Sequence, residues 1–552
     1  MAPPPAAGGD RKDGAAAADA ADRRRVLLEE TQAPSNGHAQ RASAVLYAAV
    51  IVCSASPLLF GFSLSFTSPT EESMVGEAKV GISPPEDLVV FTKSQVNWYA
   101  SLLNIGCIAG AFLGSALSNR LGRRTALALS AAPHLVAWLL TSLSRSAGLL
   151  VALRLLCGIG VGIGSAVAPC YIGEIATTGL RGALGAAHQL SITMGIVAVS
   201  ALGSYAFVTE RGGQSFSDWP RLALVGFGLS FPLFAMLLMP ESPKWLAARG
   251  DTERTRQALR RLRAGEVTAE AQDLFAASSS GGLTAATPSA GSSDSGGRRM
   301  TLGDCKRSLL VGVCLMFFQQ VSGVNAIMMY TTTICEQAGM SNAEEMALFS
   351  MIMQVVVTAV SCLLIEQAGR RPLLLISGFS TALAHSMLVY YYVARSQAPS
   401  VDATAARGVV GARQPSRVAQ AAEDIWAPSA LAILALGIFI VGFSLGLGPI
   451  PWLIMAELFP TEVRGTAISI GTATNWTLSF LVTLLFEPLE SALSRQGAFL
   501  FFAVVCASGF FFVLMVVPET KGKSVEQVLE ALSAGRRGRT ARDISLAAVA
   551  AA

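Results

Sequence analysis

The sequence predicts an all-α membrane protein: twelve transmembrane helices in two six-helix pseudo-repeats. Three observations predict it. Only 14% of the 552 residues are charged while 52% are hydrophobic, where about a quarter charged is usual for a soluble domain. The apolar residues fall in separate runs of about 20, the length that crosses a bilayer core as helix. The chemistry of the loops between those runs recurs in order in the two halves of the chain.

The runs cover residues 44–66, 96–117, 125–144, 148–173, 182–206 and 221–239, then 308–332, 346–365, 372–394, 428–452, 465–486 and 497–517. Ahead of them, residues 1–43 are rich in Ala, Pro, Gly and Arg, a composition that builds no core and is too long and polar for a signal peptide. This tail is expected to be disordered and cytosolic. Residues 44–243 form the first six-helix bundle, 244–307 a charged helical segment with a Gly/Ser-rich insert at 276–297, and 308–520 the second bundle. A polar loop at 395–427 interrupts that bundle, and 521–552 form a second cytosolic tail. With both tails cytosolic, 30 of the 41 Lys and Arg residues lie on that face, 10 lie opposite and Arg154 lies inside a span, the bias that orients membrane proteins. The net charge of +4 gives no case for nucleic acid. The nine cysteines lie mostly in apolar runs with no C-x-x-C pair, and no metal or cofactor motif is expected.

Three loop motifs repeat. Asn119–Arg124 (NRLGRR) returns as Glu366–Arg371 (EQAGRR), Gly173–Gly182 as Ala456–Gly465, and Pro240–Lys244 (PESPK) as Pro518–Gly522 (PETKG). The offset between copies grows from 247 to 283 residues, which locates an insertion of 36 in the loop after the ninth span, Ser396–Asp424. A duplicated unit of this kind is the arrangement in which one half rocks against the other.

Together with His188–Leu190 (HQL), Gln319–Ala326 (QQVSGVNA) and Gly448–Trp452 (GPIPW), these loops resemble the facilitative glucose transporter family, solute carrier family 2, from the first span to about Glu530. The long ninth loop resembles its third class. The resemblance implies the major facilitator fold and a carrier rather than an enzyme. It implies facilitative transport of a hexose, D-glucose first with D-fructose as a second substrate, by alternating access. A proton-coupled symporter of the same fold and a non-transporting sugar receptor are the alternatives.

The residues give this a physical basis. A hexose is uncharged and each hydroxyl both gives and accepts a hydrogen bond, so its site needs neutral groups that do the same. Gln189, Gln319, Gln320, Asn325, Gln354 and Asn475 meet that need inside spans, and Gly323 is expected to unwind the seventh span and re-aim its amides. Trp452 and Trp476, with Phe443 as a weaker candidate, offer flat apolar faces to a sugar ring. Gly446, Gly448, Pro449 and Pro451 remove helix hydrogen bonds from the tenth span, which reads equally as a hinge or a static kink. At the cytosolic ends, Arg123, Arg124, Glu174 and Arg181 in one half match Glu366, Arg370, Arg371, Glu457 and Arg464 in the other, and are expected to gate that side through pairs bridging the halves. Proton-driven relatives carry Asp in the first span where this chain has Ser63, which favours uniport. Leu27 and Leu28, with Asp22 upstream, resemble a sorting signal for adaptors, so residence in an endosomal or lysosomal membrane stands beside the plasma membrane.

Overall fold

The computed structural model describes residues 41–75, 91–177, 179–211, 214–280, 301–340, 342–397, 415–523 and 525–534. The tail carrying Leu27 and Leu28 lies outside them. Among the described residues twelve helices are long and apolar enough to span a membrane: α1 Ala44–Thr70, α2 Trp98–Leu121, α3 Arg123–Leu143, α4 Ala147–Ile175, α5 Arg181–Ala206 and α6 Trp219–Leu238, then α7 Lys306–Met328, α8 Glu345–Ala368, α9 Arg370–Gln397, α10 Ser429–Glu457, α11 Val463–Phe486 and α12 Pro488–Met515. Twelve crossings put the start of α1 and the end of α12 on one side, called here the tail face.

Large apolar side chains point outward along these helices, among them Leu143, Leu238, Leu363 and Val504. A soluble monomer rarely exposes such a surface, whereas lipid matches it. Between helices, small residues set the spacing, because hydrocarbon offers no hydrophobic drive for helix association. The Gly158–Gly164 run (GIGVGIG) lies on α4 against α2, and a Cβ at Gly110 would stand 2.3 Å from the Ile159 carbonyl oxygen. Close backbone approach therefore accounts for that run.

On the tail face, three short helices, Pro243–Ala248, Thr252–Leu262 and Thr268–Ser280, follow α6. The middle one buries Thr255, Ala258, Leu259 and Leu262, a 3.6-residue stripe, and turns its arginines outward. Arg263 clips this layer to the bundle by donating to both carboxylate oxygens of Glu270, at 2.8 and 3.0 Å, and to the Ile175 carbonyl at 2.7 Å.

Two boundaries differ from the sequence expectation. Ala276–Ser280 is helical, continuing an α-helix begun at Thr268, so the expected linker starts later, and 281–300 lie outside the described residues. A helix beginning at Pro415 runs into α10, so the second part of the expected ninth loop is helix, while 398–414 are not described. Between α5 and α6 lies a small hairpin, β1 Val208–Arg211 and β2 Gln214–Ser217, which pairs Val208 with Ser217.

Candidate functional site

Gly323 has φ +82° and splits α7, ending one helix at Gln320 and starting another at Val324. A Cβ there would also meet the Phe502 ring at 2.9 Å, so both backbone and space require glycine. The break puts Gln319, Gln320 and Asn325 on one wall, where they meet Asn475 of α11. Asn325 donates to Gln320 Oε1 at 3.1 Å and to Ser479 Oγ at 3.3 Å. Gln320 donates to Asn475 Oδ1 at 3.2 Å, and Asn475 donates to Gln319 Oε1 at 2.6 Å. Gln319 and Asn475 are buried; Gln320 and Asn325, half-buried, form the accessible end of this chain of amides.

The chain is anchored in the second helix break. Between Leu445 and Ile450, at Gly446, Gly448 and Pro449, α10 loses its regular ladder. The freed carbonyls are satisfied from the side: Gln319 donates to those of Leu447 and Gly448, both at 2.8 Å, and Ser361 Oγ donates to that of Leu445 at 2.8 Å. Irregular backbone at membrane depth survives only with such partners. The Leu447 N–H donates to Ser377 Oγ at 2.9 Å, and Pro451 lies in the first turn after the break. Phe443 is not at the amide wall; it stacks on Phe439 in the core of the second half.

The other predicted residues lie on the seam between halves, where α5 packs on α8 and α2 on α11. Gln189 and Gln354 are buried on α5 and α8, and Gln354 Oε1 has no partner among the described residues. Both tryptophans are buried and engaged by the opposite half: Trp476 donates to Ser165 Oγ at 3.3 Å and packs on Phe60 at 4.8 Å, and Trp452 lies 5.7 Å from the His188 ring. Their faces meet protein in this conformation.

The charged residues of the tail face correct the expectation of pairs bridging the halves. Arg123 pairs with Glu174 at 3.0 Å inside the first half, and Arg370 pairs with Glu457 at 2.9 Å and Glu366 at 3.4 Å inside the second. Each half completes its own network because a buried guanidinium needs its carboxylate in every conformation, not only in the closed one. What crosses the seam is smaller: the Gly182 N–H donates to Glu366 Oε1 at 2.5 Å. Arg464 also acts electrostatically on Glu174, as Arg181 does with Glu457. Arg464 Nε itself donates to the Phe459 carbonyl, and Arg181 Nε has no hydrogen-bond partner among the described residues.

Sequence reasoning quoted PESPK and PETKG as landmarks and missed their role. Glu241 accepts from the backbone N–H groups of Arg123 at 2.9 Å and Arg124 at 3.3 Å. Glu519 accepts from those of Arg370 and Arg371, each at 3.0 Å. Each carboxylate thus caps the N-terminus of a helix in its own half. Gly122 (φ +97°) and Gly369 (φ +89°) precede those helices, and a Cβ would stand 2.2 and 2.7 Å from the respective carboxylate oxygens, which explains the glycine of each G-R-R loop. Ser242 Oγ donates to Glu174 Oε2 at 2.5 Å, as Thr520 Oγ1 donates to Glu457 Oε2 at 2.6 Å. The Glu-Ser and Glu-Thr pairs at equivalent places were the available signal. Burial pushes the Glu241 carboxyl above its ordinary range. Burial opposes the Glu519 carboxylate too, but the N–H groups of Lys521, Arg370, Arg371 and Thr520 outweigh it and hold its pKa low.

Arg154 is buried on α4, donating to the Ser63 carbonyl at 2.7 Å and to Thr67 Oγ1 at 2.5 Å, with its guanidinium 4.3 Å from the centre of the Tyr99 ring. Ser63 Oγ donates to the Leu59 carbonyl at 2.6 Å. Among the described residues no carboxylate pairs with Arg154.

Comparison with known proteins accords with this architecture. The family model described as "Sugar (and other) transporter" matches residues 48–532. The facilitated glucose transporter member 8 of solute carrier family 2 from Mus musculus is 34% identical over 489 residues, 88% of this chain and 93% of its own. A facilitated trehalose transporter Tret1-2 homolog of Drosophila simulans is 33% identical, covering 87% of this chain and 88% of its own. The proton:xylose symporter XylE bound to 6-bromo-6-deoxy-D-glucose shares the fold with a TM-score of 0.70 at 24% identity, over 89% of this chain and 99% of that one. The chain is a sugar transporter, not an enzyme: it belongs to the family described as "Sugar (and other) transporter", has the major facilitator fold, and is similar to the facilitated glucose transporter member 8 of solute carrier family 2.

Proposed function

We propose that the chain is a uniporter that carries hexoses, D-glucose first and D-fructose second, down their gradients by alternating access. The observation that carries the reading is the run of neutral amides from Asn325 through Gln320 and Asn475 to Gln319, whose open end offers donors and acceptors but no charge to an uncharged polyol. Gln189, Gln354, Trp452 and Trp476 complete the site when the halves part. The gating residues hold the two helix-end networks rigid, so that opening separates them as bodies along the Gly182–Glu366 seam. The break at Gly448, Pro449 and Pro451 is the place where α10 bends.

Uniport is supported by the surroundings of Arg154: Ser63 and Thr67 accept from its two terminal nitrogens and Tyr99 lies against it, while Nε has no hydrogen-bond partner and no acid pairs with it among the described residues. An intramembrane carboxylate is the usual carrier of a coupled proton. A disaccharide cargo is the second reading, favoured by the relatives named as trehalose transporters. We place the tail face in the cytosol, a reading that the distribution of Lys and Arg supports. The membrane is then the plasma membrane or an endosomal or lysosomal one, with the N-terminal tail available to sorting adaptors.

Flux of labelled glucose, fructose and trehalose into liposomes holding the purified protein, with and without a pH gradient, tests all of this. Hexose flux indifferent to the gradient is expected. Proton uptake accompanying the sugar would establish the symporter instead, and trehalose flux without hexose flux would establish the disaccharide.

A further inference from the structure

Three histidines lie among the described residues, and they are buried in different ways. His385 shares a hydrogen bond with the Ser322 carbonyl at 2.7 Å and is ringed by Phe439, Phe499 and Phe502. His134 has Cys157 Sγ 3.7 Å from Nδ1. His188 is fully buried, and neither of its ring nitrogens has a hydrogen-bond partner among the described residues. A neutral imidazole carries one donor and one acceptor, and burying both unpaired costs free energy that an apolar ring of the same shape would not.

Its position gives the cost a use. His188 precedes Gln189 and lies seven residues into α5, roughly 10 Å from the tail-face end at 1.5 Å per residue. Asn475, twelve residues into α11, lies roughly 18 Å in. Trp452 of the second half stands against the imidazole, and on the same stretch a Cβ at Gly185 would meet Leu453, also of the second half. When α5 and α10 separate on the tail side, the two unsatisfied nitrogens become part of the path just below the amides. A hydroxyl that both donates and accepts matches them.

We propose that His188 is a sugar-contacting residue on the tail side of the amide chain, sealed by Trp452 when that side is shut and hydrogen-bonded to a substrate hydroxyl when it opens. The proposal rests on the reading of the chain as a hexose carrier. Three aligned observations support it: the missing partners, the contact with Trp452 of the opposite half, and the place between amides and exit. His385 shows what a purely structural imidazole looks like in the same fold.

The test compares wild type, His188→Phe and His188→Asn in liposomes, measuring inhibition of glucose flux by 2-, 3-, 4- and 6-deoxyglucose. His188→Phe keeps a ring against Trp452 but removes both nitrogens; His188→Asn restores polar atoms. In wild type, one deoxy sugar should bind several-fold more weakly than glucose, the size of one lost hydrogen bond. In His188→Phe that preference should vanish while glucose itself weakens several-fold, and His188→Asn should recover part of both. Unchanged inhibition ratios in His188→Phe would overturn the proposal, and so would loss of folded protein in both variants, since a structural role then explains the residue. Wild type that moves no hexose would refute the hexose reading itself; hexose flux with unchanged ratios refutes the role of His188 alone.

Discussion

Gly182→Ala offers the sharpest perturbation of the seam. The Gly182 N–H donates to Glu366 Oε1 across the halves at 2.5 Å, and an added Cβ would stand 2.2 Å from that oxygen and 2.7 Å from Arg370 Nη2. A carbon and an oxygen in contact need about 3.3 Å, so the seam must yield by roughly 1 Å. Arg370 holds Glu366 at 3.4 Å inside its own half, so the carboxylate cannot simply swing away. Overpacking of this kind costs about 1–3 kcal/mol, and the charge-assisted hydrogen bond lost with it about 1.5–3 kcal/mol. The gain in helix propensity from glycine to alanine acts in both conformations and cancels. A shift of even 2 kcal/mol moves the equilibrium roughly thirtyfold away from the state closed on the tail side. Ser115 is half-buried at the same seam, its Oγ 3.7 Å from where a Cβ of Gly465 would lie, and none of the nine native cysteines is exposed. Labelling of Ser115→Cys by an impermeant maleimide from the tail side should therefore speed up many-fold when Gly182→Ala is added. Gly185→Ala, whose Cβ meets only the flexible end of Leu453, should do much less. Equal labelling rates with and without Gly182→Ala would refute the seam as a gate.

Asn475→Ala removes the link between Gln319 and Gln320, two hydrogen bonds that inside a membrane contribute about 0.6–1.5 kcal/mol each. Hexose KM should rise roughly five- to tenfold or more while the purified protein stays monodisperse; an unchanged KM would remove the amide chain from the site. Lys244, half-buried beside the seam, has its pKa pushed down to about 7 by burial first, then by Arg464 and Arg181, against an ordinary 10.5. The unfolded chain therefore binds more protons than the folded one between those values, so stability rises with pH across pH 7 to 10.5 and the full cost applies below pH 7. Lys244→Met should raise the thermal midpoint at pH 6 and flatten its rise between pH 7 and 10; a slope like that of wild type would contradict the origin given for it.

Much of this was legible in the sequence for a simple reason. Hydrocarbon forces spanning segments to be long, apolar and helical, so the twelve runs appear directly, and duplication prints each loop motif twice. The unwinding at Gly323 followed from one residue amid amides, and the backbone adopts it. The close ion pairs were not legible because repetition reveals which residues are equivalent but not which partner each takes: Arg123 finds Glu174, and Arg370 finds Glu457, each within its own half. Glu241 and Glu519 stayed hidden because a carboxylate capping two backbone N–H groups leaves no pattern of opposite side-chain charge. Trp452 and Trp476 were read as faces for a ring, whereas a one-dimensional pattern cannot show that His188 and Ser165 of the other half cover them in this conformation.

The central claim is that two six-helix halves enclose a neutral, amide-lined site open to one side at a time. Countertransport tests it most directly: liposomes holding the purified protein are preloaded with unlabelled glucose, and entry of labelled glucose from outside is followed. Alternating access predicts a transient rise of labelled sugar above its outside concentration. Simple equilibration without overshoot, at any preload, would mean that the site faces both sides at once and would contradict the account.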